Sequence, residues 1–332
     1  MAYYAAVTSS PDLEPDQLRL LVRVARLYHE QGVRQPQIAA DLHISQPRVS
    51  RLLKQAARLG IVHTVVTVPP GVHADIEEQL KQRYGLRDAV VAEIPPGEED
   101  RLLPLIASAA AGYLDATLSG TLERVDDIGL SAWSATLLAT VEAMRPKRPA
   151  VARHVSQVLG GIGDPGAQVR ATRLLTRFAE VTGGQPLFMP TPGLVGTPHL
   201  REALTQDGSV AQIVRSWDEL TLLLVGIGRL TPSPLLRSSG NAITDDEQRE
   251  LRERGAVGDV CLRYFDAEGA LVPSGFDQRV VGITPEQMLR IDRRVGVAGG
   301  ADKHEAVRAA VLGGWVNVLI TDLDTAGALI ST

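Results

Sequence analysis

Apolar positions recur at helical spacing through the first sixty residues, and in alternating runs or short blocks thereafter, so the chain reads as two modules. Residues 16–31 place Leu18, Leu21, Val22, Ala25 and Tyr28 on one face of a helix that Gly32 stops. A second, short helix from Pro36 to Leu42 turns Ile38, Ala39 and Leu42 inward. A three-residue turn, His43-Ile44-Ser45, leads into a third helix from Gln46 to Leu59. Ser45 is suited to cap that helix, and Pro47 is tolerated in its first turn. There Val49, Leu52, Leu53 and Ala56 face a core, which leaves Gln46, Arg48, Ser50, Arg51 and Lys54 on the outer face. Two short helices, a tight turn and a polar, basic second helix describe a helix-turn-helix whose second member enters the major groove, first residues foremost. A small amphipathic bundle with a solvated basic face is the competing reading.

After Gly60 the run IVHTVVTV alternates like a strand, a wing or a connector, and Pro69-Pro70-Gly71 breaks it. Residues 72–84 then read as a linker helix. The organisation expected is a DNA-binding domain over 1–68, a linker helix within 69–87 and an effector-binding domain over 88–332. In the last of these, apolar runs (AVVAEI, DDIGLS, HVSQVL, PLFMPT, LTLLLVGIG, VGDVCLRYF, RRVGVAG and VNVLIT) alternate with helical stretches at 101–118, 135–144, 167–181, 245–253, 285–289, 303–312 and 324–330. That alternation predicts a large Rossmann-like α/β domain with a parallel sheet.

Composition narrows the class. Apolar residues at 44% and charged ones at 22% of 332 residues exclude a disordered or fibrous chain. No run approaches the length of a membrane span, and the N-terminus lacks a secretory pattern, so a cytoplasmic protein is expected. Cys261 is the only cysteine, so neither an intrachain disulfide nor a cysteine metal cluster can form. The net charge of −5 hides an asymmetry: residues 16–62 hold eight bases against three acids, a local +5, which leaves −10 for the remainder. A basic module on an acidic body fits a polyanion partner, here DNA.

Ligands of open α/β sheets bind beyond the carboxyl ends of strands. Four loops there are rich in small residues: LSAWSATL (130–137), GGIG (160–163), VGIGRL (225–230) and AGGADK (298–303). Exposed amides ahead of a helix suit an anion, although glycine at such turns is also ordinary turn chemistry. Gly161 to Gly166 satisfies G-x-G-x-x-G, but it lies outside the first βα unit, contains Pro165 and has Glu180 late in a helix. Dinucleotide binding is therefore not expected, nor is any cofactor. Lys303, one of only four lysines beside thirty arginines, stands at a helix N-terminus, where a cation is unfavourable without an anion. It is either a ligand for one or a surface lysine paired to Asp302 or Glu305. Asp259 opens a strand and is either an acceptor for ligand hydroxyls or a strand-edge cap. His154, His199 and His304 show no acid at a recognisable spacing, and no catalytic triad or metal set emerges.

The stretch VARLYHEQGVRQPQIAADLHISQPRVSRLLKQAARLGIV resembles the N-terminal domain of SorC-type sugar-binding bacterial transcriptional regulators, with His43 where that family usually has glycine. VSQVLGGIG, GAVGDVCLRYFDAEG, VVGITPEQML and VGVAGGADKHEAVRAAVLGGWVNVLITDLDTAGALI resemble its sugar-binding domain, so the likeness covers nearly the whole chain. The resemblance implies a fold related to ribose-phosphate isomerases and glucosamine-phosphate deaminases. It implies that Asp259 meets effector hydroxyls, that Lys303 lies near the ligand, that Gly161 and Gly163 form the second loop, and that Ser134 and Thr136 form the phosphate loop. Where the family reads Trp-Gly-Arg/Thr-Thr, this chain has Trp133-Ser134-Ala135-Thr136, and Arg237 is the candidate for a compensating charge. The expectation is an operator-binding regulator, a repressor, of a carbohydrate-catabolic operon. It answers to a sugar, polyol or sugar phosphate and acts as a homotetramer or dimer of dimers. The alternative is a sugar-phosphate isomerase or deaminase with an accessory DNA-binding domain.

Overall fold

The computed structural model describes residues 14–62, 71–118 and 125–331, and the chain divides into two compact units, 1–67 and 68–332. The first contains α1 (Pro15–His29), α2 (Gln35–Asp41) and α3 (Gln46–Arg58). Its core is Leu21, Val24, Ala25, Ile38, Ala39, Val49, Leu52, Leu53 and Ala56. The inward face of α3 is the one the periodicity predicts. That of α1 is so only in part: Leu21 and Ala25 are buried as expected and Val24 joins them, while Leu18, Val22 and Tyr28 are 42%, 38% and 38% exposed. The tight turn is present, with His43 at φ +51°, the left-handed region that costs a side chain most when it is bulky or β-branched. Ser45 occupies the N-cap position of α3, but its side chain makes no capping hydrogen bond. The expected wing falls largely on 63–70, outside the described residues.

In the second unit the order is α4 (Ala74–Tyr84), β1 (Asp88–Ala92), α5 (Leu102–Thr117), β2 (Asp126–Leu130), α6 (Ala135–Ala143), β3 (Ala152–Gln157), α7 (Pro165–Thr182), β4 (Gln185–Leu187), α8 (Pro198–Gln206) and α9 (Gly208–Ser216). There follow β5 (Leu222–Gly226), β6 (Gly228–Arg229), α10 (Pro234–Ser238), α11 (Asp245–Glu253), β7 (Gly258–Val260), β8 (Arg263–Phe265), α12 (Pro285–Arg290), β9 (Arg293–Val297), α13 (His304–Leu312), β10 (Val318–Asp322) and α14 (Leu323–Ser331). Seven strands form one parallel sheet in the order β1-β10-β9-β5-β2-β3-β4, and β6-β7-β8 form a small antiparallel sheet.

Because alternate residues of a strand face opposite ways, β5 feeds two cores. Leu223 and Val225 join Leu80 of α4, Val307 of α13 and Leu329 of α14, while Leu222 and Leu224 join Ile106 of α5, Leu137 of α6 and Phe178 of α7. Next to β5 lies β2. The chain leaves β2 for β3 on one side and, after the small sheet, leaves β5 for β9 on the other. Such a reversal opens a crevice at the carboxyl ends of the two strands.

One expected element is corrected. VGDVCLRYF is not one strand but the β7–β8 hairpin, turned by Cys261 and Leu262, both at positive φ (+53° and +63°). The linker segment contains α4, which is docked on the α/β unit: Leu80 is fully buried, and Tyr84 Oη and Arg83 Nη1 donate to the carbonyls of Leu329 and Ile330 at 2.7 Å. A fragment beginning at residue 88 loses these contacts. Burial of Leu80 alone is worth about 2 kcal/mol, so that fragment is expected to melt roughly 4–8 °C below one beginning at residue 69. Thermal melts of the two fragments decide this, and equal midpoints would show that α4 contributes nothing to the domain.

Candidate functional site

At the β2/β5 crevice lies a cavity of about 410 Å³. Its walls come from the segment after β2 (Ser131, Trp133, Ser134, Thr136), the end of β5 (Gly226 to Arg229), the β7–β8 hairpin (Asp259, Cys261, Leu262) and the turn before α13 (Asp302, Lys303). Local chemistry holds each in place. Ser134 caps α6, its Oγ accepting from Leu137 N at 3.2 Å, while Thr136 is half-buried. The Trp133 indole donates to the Gly160 carbonyl at 2.9 Å and fixes the wall behind them.

Asp259 pairs across the small sheet with Gly228, where an added Cβ would sit 2.0 Å from the carboxylate, so only glycine admits the acid. Its Oδ2 accepts from Leu262 N at 2.9 Å, which ties the carboxylate to the left-handed turn. Burial pushes Asp259 up to about 6, opposed by that hydrogen bond and by Lys303. Lys303 is not the first residue of a helix but the N-cap of α13, and its Nζ reaches away to donate to the Ile227 carbonyl at 3.0 Å. Burial lowers its pKa against the pull of Asp302 and Asp259. Asp302 does not pair with Lys303 by hydrogen bond; it forms an ion pair with Arg229. The Cys261 thiol is pushed up to about 12 by burial and stays protonated.

The cavity therefore joins Ser134, Thr136, Asp259 and Lys303, which lie far apart in sequence. Gly161, Gly163 and Arg237 are not among its lining residues. Gly161 and Gly163 allow close approach instead: an added Cβ would meet the Gln157 side chain at 2.5 Å and the Ser239 carbonyl at 2.3 Å respectively. Arg237 lies exposed on α10. In the AGGADK loop, the Gly300 amide is taken by Asp322 Oδ2 at 2.8 Å rather than left open. Sequence reasoning missed Arg170 of α7 and Arg229 of β6, both in the lining; nothing in their local sequence separates them from the other arginines. It also missed that Asp127 meets His154 Nδ1 at 2.9 Å, because parallel register, not spacing, brings them together.

In the N-terminal unit, Gln46, Arg48, Arg51 and Lys54 are exposed along α3 and Ser50 is half-buried, opposite the buried Val49, Leu52, Leu53 and Ala56. The chain as a whole is similar to known proteins. Residues 69–331 match the family described as "Putative sugar-binding domain". The chain is 30% identical over 319 residues to the sorbitol operon regulator of Klebsiella pneumoniae, with 95% of this chain and 98% of that one aligned. The chain belongs to the SorC family of sugar-binding transcriptional regulators. It is also 28% identical to the deoxyribonucleoside regulator of Bacillus subtilis, covering 96% and 99% of the two chains. The crystal structure of full-length SorC from Klebsiella pneumoniae superposes with a TM-score of 0.70 at 28% identity, covering 95% of this chain and 99% of that one. These relatives carry the names of regulators, and this SorC-family chain is a regulator rather than an isomerase or deaminase. Among the described residues no helix is long and apolar enough to cross a membrane.

Proposed function

We propose that the chain is a repressor of a carbohydrate-catabolic operon that acts in the cytoplasm and answers to a sugar, polyol or sugar phosphate. The observation that carries the reading is the meeting of Asp259 and Lys303 with the hydroxyls of Ser134 and Thr136 in one cavity. A buried carboxylate accepts from ligand hydroxyls, the ammonium beside it donates, and the α6 N-terminus with its hydroxyls holds the far end. In the N-terminal unit α2, the turn and α3 act as a helix-turn-helix. Gln46, Arg48, Ser50 and Arg51 meet base edges, and Lys54 meets a phosphate. Paired operator half-sites favour a symmetric assembly, a homotetramer or dimer of dimers. Effector and operator then change each other's affinity by the same factor.

The pH dependence tests the site. An Asp259 that accepts effector hydroxyls must be ionised, so effector affinity falls as pH drops through 6, by up to about tenfold per unit. The unliganded protein behaves in the opposite sense. A carboxyl raised from 3.8 to about 6 by folding lends stability that is complete below 3.8 and lost as pH rises through 6. Asp259→Asn removes both dependences. Thermal shifts with phosphorylated and free sugars between pH 4.5 and 8 measure them. A ligand whose affinity is flat across that range in the wild type would place its hydroxyls elsewhere.

A further inference from the structure

We infer that the exposed face of α13 is a contact between two copies of this chain, with Glu305 of each copy paired to Arg308 of the other. The inference rests on the symmetric assembly proposed above and gives it a surface. α13 runs from His304 to Leu312 and buries Ala306, Val307, Ala309, Ala310 and Val311. Glu305, Arg308 and Leu312, three and four residues apart, form one stripe on the opposite side. Leu312 is 45% exposed. Neither Glu305 nor Arg308 has a side-chain partner among the described residues, and Arg308 is half-buried with its Nε enclosed. Acids and bases one turn apart on a helix do pair elsewhere in the chain: Glu78 with Lys81 at 2.9 Å, Glu180 with Arg177 at 3.3 Å and Glu250 with Arg254 at 2.9 Å. On α13 the pair stays open. A half-buried guanidinium is thereby left without a counter-charge, a cost that a carboxylate from another molecule removes.

The charges themselves choose the occupant. A polyanion is repelled by Glu305 and a polycation by Arg308, whereas a second copy offers both in the reverse order. A two-fold axis crossing α13 at the level of Ala306 and Val307 sets two such helices antiparallel and places Glu305 opposite Arg308 at two symmetric contacts. The same axis sets Leu312 opposite Ala301, a small exposed residue in the turn before the helix. An isologous contact needs one patch complementary to itself, and this stripe is so in charge and in size. Alongside it lies a cavity of about 300 Å³ between α13, α14 and the turn after β8, lined by Ala267, Ala328 and Leu329 as well as by His304, Glu305 and Arg308. An apolar floor with a charged rim is the composition of a protein interface. The face begins next to Lys303, so it stands one residue away from the proposed effector cavity.

Sedimentation velocity of the full chain over a range of concentrations tests this, with circular dichroism as the check on folding. Glu305→Arg and Arg308→Glu each set like charges opposite one another at both contacts. Each is expected to weaken one association step, tetramer to dimer or dimer to monomer, by about tenfold or more. Leu312→Asp, at an exposed position, is expected to weaken the same step without touching either charge. Mixing the two single charge variants is expected to restore association, because each then meets the opposite charge on the other chain. Pairing within one chain cannot produce that rescue. A wild-type assembly that none of the three variants weakens, or a weakening that the mixture does not relieve, overturns the inference and leaves the symmetric assembly standing. A wild type that stays monomeric at every concentration overturns both.

Discussion

An Arg48→Ala/Arg51→Ala double variant is expected to lose operator binding by about 2–6 kcal/mol, since each guanidinium that grips a guanine is worth about 1–3 kcal/mol. Every 1.4 kcal/mol is tenfold in affinity, so the loss is roughly thirtyfold or more. Both side chains are exposed on α3, and the core of the unit is formed without them, so folding is expected to persist. Arg51 Nε makes only a long contact of 3.4 Å to the Pro47 carbonyl and is available to another acceptor. Lys54, two turns into the helix, is expected to behave differently. As a phosphate contact its loss weakens specific and nonspecific DNA alike and flattens the salt slope by about 0.9. Fluorescence anisotropy with operator and random DNA at several salt concentrations separates the two effects. Full affinity of the double variant, with circular dichroism unchanged, would take α3 out of the interface.

Lys303→Ala is expected to weaken effector binding by about 1.5–3 kcal/mol, the range of a charge-assisted hydrogen bond, and thus to raise the effector needed for operator release about tenfold or more. The sequence alone suggests that this variant also gains stability, because a cation at a helix N-terminus opposes the macrodipole. The structure reverses that expectation. Lys303 precedes α13, and its ammonium is drawn off to the Ile227 carbonyl and toward Asp259. Truncation forfeits a part-buried hydrogen bond and leaves the buried Asp259 without its neighbouring cation, so the variant is expected to be less stable by about 1–2 kcal/mol. DNA affinity without effector is expected to be unchanged. Effector titrations of operator-bound wild type and variant give the first quantity, and thermal melts give the second. Coincident titration curves would remove Lys303 from the ligand's reach.

What the sequence disclosed is what short-range physics controls. The α3 face, the tight turn before it and the alternation of strands with helices follow from periodicity and turn chemistry over a few residues, and the structure reproduces them. Periodicity is weaker where the partner decides the face. On α1 the rows through Val22 and through Val24 are both apolar, and packing against α2 and α3 buries the second. It is silent for α8, which has no fully buried residue and is started by Pro198 behind the Thr197 cap.

The candidate site divides in the same way. Lys303 stands out in the sequence because a cation at a helix start conflicts with local preference, Asp259 because it opens a strand after a turn, and the structure puts both in the lining of one cavity. Gly228 is required for a reason no turn rule contains: the carboxylate of a strand thirty residues away occupies the space of its Cβ. Gly161 and Gly163 serve backbone approach to Gln157 and Ser239, which equally have no local trace. The two-residue turn at Cys261-Leu262 adopts the conformation that glycine or asparagine usually signals. It persists because Leu262 is buried in the core and its amide is held by Asp259. The sequence by itself determined the class of fold, the basic helix and two residues that local physics makes conspicuous. Which groups share a cavity was decided by packing, because neighbours across strands and helices are set by register and not by spacing along the chain.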